Sequence, residues 1–81
     1  MRLPRDVSGE DLAKLLKRFG YEETRQTGSH IRLTTLQEGE HHITIPRHSS
    51  LRVGTLNAIL NDISEHLSTP KQTLIETLFA K

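Results

Sequence analysis

The sequence predicts one α+β domain over residues 1–81, in which helices cover one face of a three-stranded antiparallel sheet in the order α-β-β-β-α-α. Hydrophobic residues recur with helical spacing near the N-terminus and again over the last third of the chain. Between these segments they alternate with polar residues, which is typical of strands with one buried face. A chain of 81 residues can build a single core between two such layers.

The first helix is predicted from Gly9 to Phe19. Ser8 precedes it as a good N-cap residue, and Asp11 three positions later forms an approximate capping box. Gly20 is expected to end the helix as its C-cap. The face predicted to be buried carries Leu12, Leu15, Leu16 and Phe19, and the solvated face carries Lys14, Lys17 and Arg18.

Three strands are predicted after Gly20. The first, residues 21–26, has weak patterning but contains the β-formers Tyr21 and Thr24, and Thr27-Gly28 supplies a turn after it. The second strand, residues 29–35, and the third, which follows a turn at residues 37–40, alternate clearly. Their apolar positions are Ile31, Leu33, Ile43 and Ile45, and their polar positions are His30, Arg32, Thr34, His42 and Thr44.

The register of the second and third strands can be predicted because residues directly opposite in an antiparallel pair share a face. One register places His30 opposite Pro46, and a slip of two residues places His30 opposite His48. The first of these pairs Leu33 with Ile43 and Ile31 with Ile45. In both registers the polar positions form a sheet face that the helices leave uncovered.

The last third of the chain is predicted to form two helices. The main core helix begins at about Arg52, and its apolar stripe consists of Leu56, Ile59, Leu60, Ile63 and Leu67. Glu65 and His66 are interpreted as surface residues of this helix. The third helix has Thr69 as N-cap and Pro70 at its first position, followed by Gln72, Leu74, Ile75, Leu78 and Phe79.

Composition and charge limit the classes of function. The chain has no cysteine, which excludes a disulfide framework, a thiolate zinc site and a cysteine nucleophile. Residues 1–7 have no apolar run behind their two arginines, so we expect no signal peptide, no membrane anchor and a cytoplasmic location. The net charge is only +1, but residues 25–54 hold four arginines and four histidines against the carboxylates of Glu38 and Glu40.

Three segments together resemble the HicA family in content, order and spacing: Arg25-Gln26-Thr27-Gly28-Ser29-His30, Pro46-Arg47-His48, and Gly54-Thr55-Leu56 with Ile59-Leu60. The resemblance implies a fold like the double-stranded-RNA-binding domain. It also implies a toxin that cuts messenger RNA as an endoribonuclease, with an antitoxin of the HicB type as its partner. The histidine of the Gly-Ser-His motif, here His30, is implied to be catalytic.

The residues themselves are compatible with cleavage of RNA without a metal ion. This reaction needs a base for the ribose 2′-hydroxyl, an acid for the leaving oxygen and positive charge near the phosphate. Imidazole can perform either proton transfer because its reference pKa is about 6.5. We expect Gly28, Ser29, Arg32, Arg47 and His48 to bind the substrate. His48 is preferred as a second proton-transfer group, with His42 as the alternative.

No metal or other cofactor is expected. His41 and His42 are adjacent on a strand, so their side chains face opposite ways, and no set of convergent carboxylates accompanies them. His30 could also be an exposed strand histidine with no functional role, although the motif around it favours a function. His48 could serve only to hold its loop or to cap the following helix.

Two other functions compete with ribonuclease activity. A non-catalytic RNA-binding module would need a basic face near the last helix, but the main core helix carries Arg52 and then Asp62 and Glu65, so the required lysine cluster is missing. A DNA-binding helix pair would have to read the major groove with a last helix that offers little beyond Gln72, Lys71 and Lys81. A protein-interaction module of the same fold remains open from sequence.

Overall fold

The computed structural model describes residues 3–79 and confirms the predicted architecture and element order. The N-terminal helical segment consists of α1 (Gly9–Leu15) and a 3-10 turn (Leu16–Phe19). The sheet follows as β1 (Glu22–Gln26), β2 (His30–Thr35) and β3 (His41–Pro46), and then come α2 (Val53–Leu67) and α3 (Lys71–Phe79). This arrangement fits a double-stranded-RNA-binding-domain-like fold. None of the helices within residues 3–79 is long and apolar enough to cross a membrane.

The sheet is antiparallel throughout, with β2 between β1 and β3. The first of the two predicted registers is confirmed, because His30 lies opposite Pro46. Between β1 and β2 the register shifts at a bulge, where Thr24 is the extra residue. As a result Arg25 lies directly opposite Arg32.

The helices cover one face of the sheet, as predicted. The apolar side chains of β2 and β3 are buried there against side chains from all three helices, in a core that includes Leu12, Leu16, Ile31, Leu33, Ile43, Ile45, Leu56, Leu60, Ile63 and Leu74. The opposite side of the sheet, which we call the open face, carries Thr24, Arg25, His30, Arg32, Thr34, His42 and Thr44. Most of these side chains are exposed, so the fold leaves a polar surface available to a ligand.

Tyr21 lies one residue before β1 and is fully buried. Its hydroxyl hydrogen-bonds with Nδ1 of His41 at 2.7 Å, and Nε2 of His41 lies 3.1 Å from the Asp62 carboxylate. Burial raises the pKa of Tyr21 from its ordinary value of 10.0 to about 12, with the negative charge of Asp62 as a smaller cause. The three side chains therefore link the start of β1, β3 and α2 through one polar chain.

Two helix ends differ from the prediction. The first helix is α-helical only as far as Leu15, and its last turn is a 3-10 turn that Gly20 closes in the expected left-handed conformation, with φ of 79°. The third helix begins at Lys71, so Pro70 and not Thr69 immediately precedes it, and the Thr69 hydroxyl donates to the carbonyl of Leu67 at 3.1 Å. The last carbonyls of a helix have no partner within the helix. Here the carbonyl of Leu67, the last residue of α2, accepts a hydrogen bond from the hydroxyl that the sequence predicted as the cap of α3.

His66 is half-buried rather than a plain surface residue. Its ring stacks on that of His41 with the ring centres 4.3 Å apart. Its Nε2 donates to the carbonyls of Gln37 and Gly39, at 2.9 and 3.0 Å. His66 therefore ties the turn between β2 and β3 to α2.

Candidate active site

The turn that leads into His30 is fixed by hydrogen bonds on both sides. The Thr27 N–H donates to the His30 carbonyl at 2.9 Å, and the His30 N–H donates to the Thr27 hydroxyl at 3.1 Å. On the other side, the Arg47 N–H donates to the Ser29 carbonyl at 2.8 Å. His30 is thus held as the first residue of the central strand, at the edge of the open face.

The His30 side chain is exposed and makes one hydrogen bond to a neighbour, between its Nδ1 and the Ser29 hydroxyl at 3.0 Å. A hydroxyl can donate or accept, so Ser29 can support the imidazole with its proton on either nitrogen. The contact occupies Nδ1, and Nε2 has no hydrogen-bond partner among residues 3–79. This is an arrangement in which an imidazole can take a proton from a substrate or give one to it.

His30 lies in a shallow hollow of about 320 Å³ on the open face, together with Arg25, Thr27, Arg32 and Thr44. The hollow therefore combines two guanidinium groups, two hydroxyls and one imidazole. Such a lining favours a phosphate over a divalent cation, since all its charged groups are positive.

Arg25 was not among the predicted site residues. Strict alternation along β1 would turn it toward the helices, and the bulge at Thr24 turns it to the open face instead.

Arg47 lies on the other side of the sheet from His30. It follows Pro46, which is opposite His30, so its side chain alternates to the side that the helices cover. There its guanidinium donates to the Glu10 carboxylate of α1 at 2.7 Å. With its amide oxygen turned toward Arg47, Gln26 also accepts from this guanidinium at 2.8 Å. The structure therefore does not bring Arg47 into the His30 hollow.

Gly28 and His48 line a second hollow, which they share with Ser8, Glu10, Arg47 and Ser49. A side chain added at Gly28 would meet no atom within 4 Å, and its φ is not left-handed, so the fold itself does not require glycine there. The two hollows flank the same turn, with Thr27 in one and Gly28 in the other. The predicted site residues are thus divided between two adjacent depressions.

His42 is on the open face but belongs to a separate polar chain. Its Nδ1 bonds to the Thr34 hydroxyl at 2.7 Å, and its Nε2 bonds to the Glu40 carboxylate at 2.8 Å. It lies opposite Thr34, four positions along β2 from His30, which corresponds to roughly 13 Å. Distance and existing partners therefore both disfavour His42 as the second proton-transfer group.

His41 and His42 are adjacent residues of β3, and their side chains face opposite ways. His41 bonds to Tyr21 and Asp62, whereas His42 bonds to Thr34 and Glu40. Within residues 3–79, no group of three or more histidine, aspartate or glutamate side chains is arranged to hold a metal ion.

Comparison with known protein families gives a match over most of the chain. Residues 9–64 match the family described as "HicA toxin of bacterial toxin-antitoxin". Searches among curated proteins and among solved structures returned no significant match. The matched range covers more than half of the chain and includes the whole sheet, the His30 turn and most of α2. The chain therefore belongs to the HicA toxin family of bacterial toxin–antitoxin systems.

Proposed function

We propose that this protein is an endoribonuclease toxin that cuts messenger RNA in the cytoplasm, with His30 as its catalytic residue and without a metal ion. The observation that carries the proposal is the position of His30. Its exposed imidazole shares one hollow with positively charged and hydroxyl-bearing side chains. Membership of the HicA toxin family supports the same function.

The proposed reaction is an attack of the ribose 2′-hydroxyl on the adjacent phosphate. The 2′-oxygen forms a bond to phosphorus as the bond to the 5′-oxygen breaks, which leaves a 2′,3′-cyclic phosphate and a 5′-hydroxyl. His30 would take the 2′-hydroxyl proton or protonate the 5′-oxygen through Nε2, while the Ser29 hydroxyl holds Nδ1. Arg32 would stabilise the negative charge that develops on the phosphate.

The second hollow is proposed to bind the RNA on the other side of the turn. An RNA strand that passes over residues 27–30 would meet both hollows, and the open space at Gly28 would let its backbone approach closely. His48 is exposed in this hollow and remains the proposed second proton-transfer group. The Arg47 side chain is one-third exposed, so it could contact a phosphate while it stays paired with Glu10.

Incubation of the purified protein with end-labelled RNA in excess chelator tests the proposal. We expect cleavage to continue, and we expect the products to carry 2′,3′-cyclic phosphate and 5′-hydroxyl ends. Cleavage that stops in chelator and returns with one divalent ion would contradict the metal-independent mechanism. Protein that binds RNA but never cuts it would instead support a non-catalytic RNA-binding module.

A further inference from the structure

Two positively charged side chains face each other across β1 and β2. Arg25 and Arg32 are directly opposite partners on the open face, and both are exposed. Like charges in directly opposite positions of a sheet destabilise it. Within residues 3–79 neither guanidinium lies within ion-pair distance of a carboxylate. The pair therefore places uncompensated positive charge at one point of the sheet.

Two other arginines, Arg18 and Arg47, have partners within the fold. Arg47 pairs with Glu10, and Arg18 donates to the carbonyl of Thr77 at 2.8 Å. The surroundings of Arg25 and Arg32 differ, since the hollow that they line contains no carboxylate and has the hydroxyls of Thr27 and Thr44 at its sides. Hydroxyls and guanidinium groups all donate hydrogen bonds to an anion. The hollow thus matches a compact, doubly charged anion such as a phosphate group.

We propose that Arg25 and Arg32 together bind one phosphate group beside His30, and we call this pair of side chains the clamp. Arg25 is then a substrate-binding residue of this site. The assignment of that phosphate to RNA rests on the proposed function. His30 and Arg32 are two positions apart on the same face, or about 7 Å, which an arginine side chain can span. Two planar guanidinium groups can each donate two hydrogen bonds to phosphate oxygens. The bulge at Thr24 creates the clamp by turning Arg25 to the open face.

Inorganic phosphate is the probe that tests the clamp without RNA. The wild-type protein, Arg25→Gln and the control Arg5→Gln are titrated with phosphate at constant ionic strength, and the backbone amide signals are followed by NMR. We expect phosphate to shift the amide signals of residues 25, 30 and 32 in the wild type and in Arg5→Gln. In Arg25→Gln the signals of the same three positions should not move. Equal shifts in Arg25→Gln would overturn the proposal.

Thermal melts provide a second measurement that a merely structural role of Arg25 would not reproduce. At low ionic strength without phosphate, Arg25→Gln should melt at or above the wild-type temperature, because a like-charge contact has been removed. Added phosphate should then raise the melting temperature of the wild type and of Arg5→Gln but not that of Arg25→Gln. A variant that melts below the wild type without phosphate would contradict the clamp.

Measurements with RNA distinguish a failure of the clamp from a failure of the proposed function. The binding measurement uses proteins that also carry His30→Ala, so that the RNA stays intact. In this background, Arg25→Gln should lose one phosphate contact, which makes the slope of log affinity against log salt concentration shallower by about 0.7 for single-stranded RNA. If the wild type binds phosphate through this pair but cuts no RNA, the clamp stands and the ribonuclease proposal fails. If the wild type cuts RNA and Arg25→Gln cuts it and binds phosphate equally well, the clamp alone fails.

Discussion

His30 and Ile31 are neighbours in the chain but have opposite environments. His30 is exposed on the open face, whereas Ile31 is 1% exposed and lies in the core. The alternation of a strand separates them, so one residue can carry chemistry while the next supplies stability. This difference allows an effect on activity to be separated from an effect on folding.

Replacement of each residue by alanine should have different effects on stability. His30→Ala should change the free energy of unfolding by less than about 0.5 kcal/mol, since it removes an exposed side chain. Ile31→Ala should lower it by roughly 2 to 5 kcal/mol, because it leaves a cavity between the sheet and the helices. Chemical denaturation of both variants measures the two values. Similar losses in the two variants would mean that His30 has a structural role that its exposure does not explain.

At the scale of the elements, the polar chain from Tyr21 through His41 to Asp62 joins β1, β3 and α2. The folded protein favours the neutral phenol, since the pKa of Tyr21 is raised to about 12. The stability that this provides is fully present below pH 10, the ordinary pKa, and is lost as the pH rises through about 12.

The free energy of unfolding should therefore fall between pH 10 and about 12. In Tyr21→Phe it should fall less over the same range, since that variant has no phenol to ionise. Denaturation curves at several alkaline pH values, compared between the two proteins, provide the measurement. Equally steep losses would show that other groups cause the alkaline unfolding.

The elements were largely predictable because their apolar periodicity is strong. Ile31 and Ile45 had to share a buried face, and that requirement limited the register to two alternatives, one of which the structure has. The bulge in β1 could not be predicted, because a strand whose residues are all exposed has no apolar pattern to mark a shifted register. Arg25 was not predicted for this reason, and Arg47 lies one residue beyond β3, where its side chain turns to the helix side and pairs with Glu10.

At the scale of the whole molecule, the sheet separates the core from the proposed site. The helices and the core occupy one side, and the open face keeps His30 and the arginine pair accessible. Membership of the HicA toxin family implies that the protein works within a toxin–antitoxin pairing. A cationic surface of this kind is a suitable target for an inhibitor with complementary charge.

We expect a HicB-type antitoxin to cover the open face around His30 and to present acidic or polar groups to Arg32. Arg47, at the adjacent hollow, is a second expected contact. Hydrogen–deuterium exchange of the toxin alone and in complex should show protection at residues 25–32 and around Arg47. Protection confined to the helices on the other side of the sheet would refute this model of inhibition.

Catalysis by His30 is the central claim, and cleavage of a labelled RNA by His30→Ala tests it most directly. Loss of a general acid or base should lower the rate by roughly 10²- to 10⁴-fold. His42→Ala is the matched control, since it removes another exposed histidine of the open face that lies roughly 13 Å from His30. We predict that the control cuts RNA nearly as fast as the wild type and that His30→Ala, although folded in a thermal melt, does not. Undiminished cleavage by folded His30→Ala would contradict the mechanism.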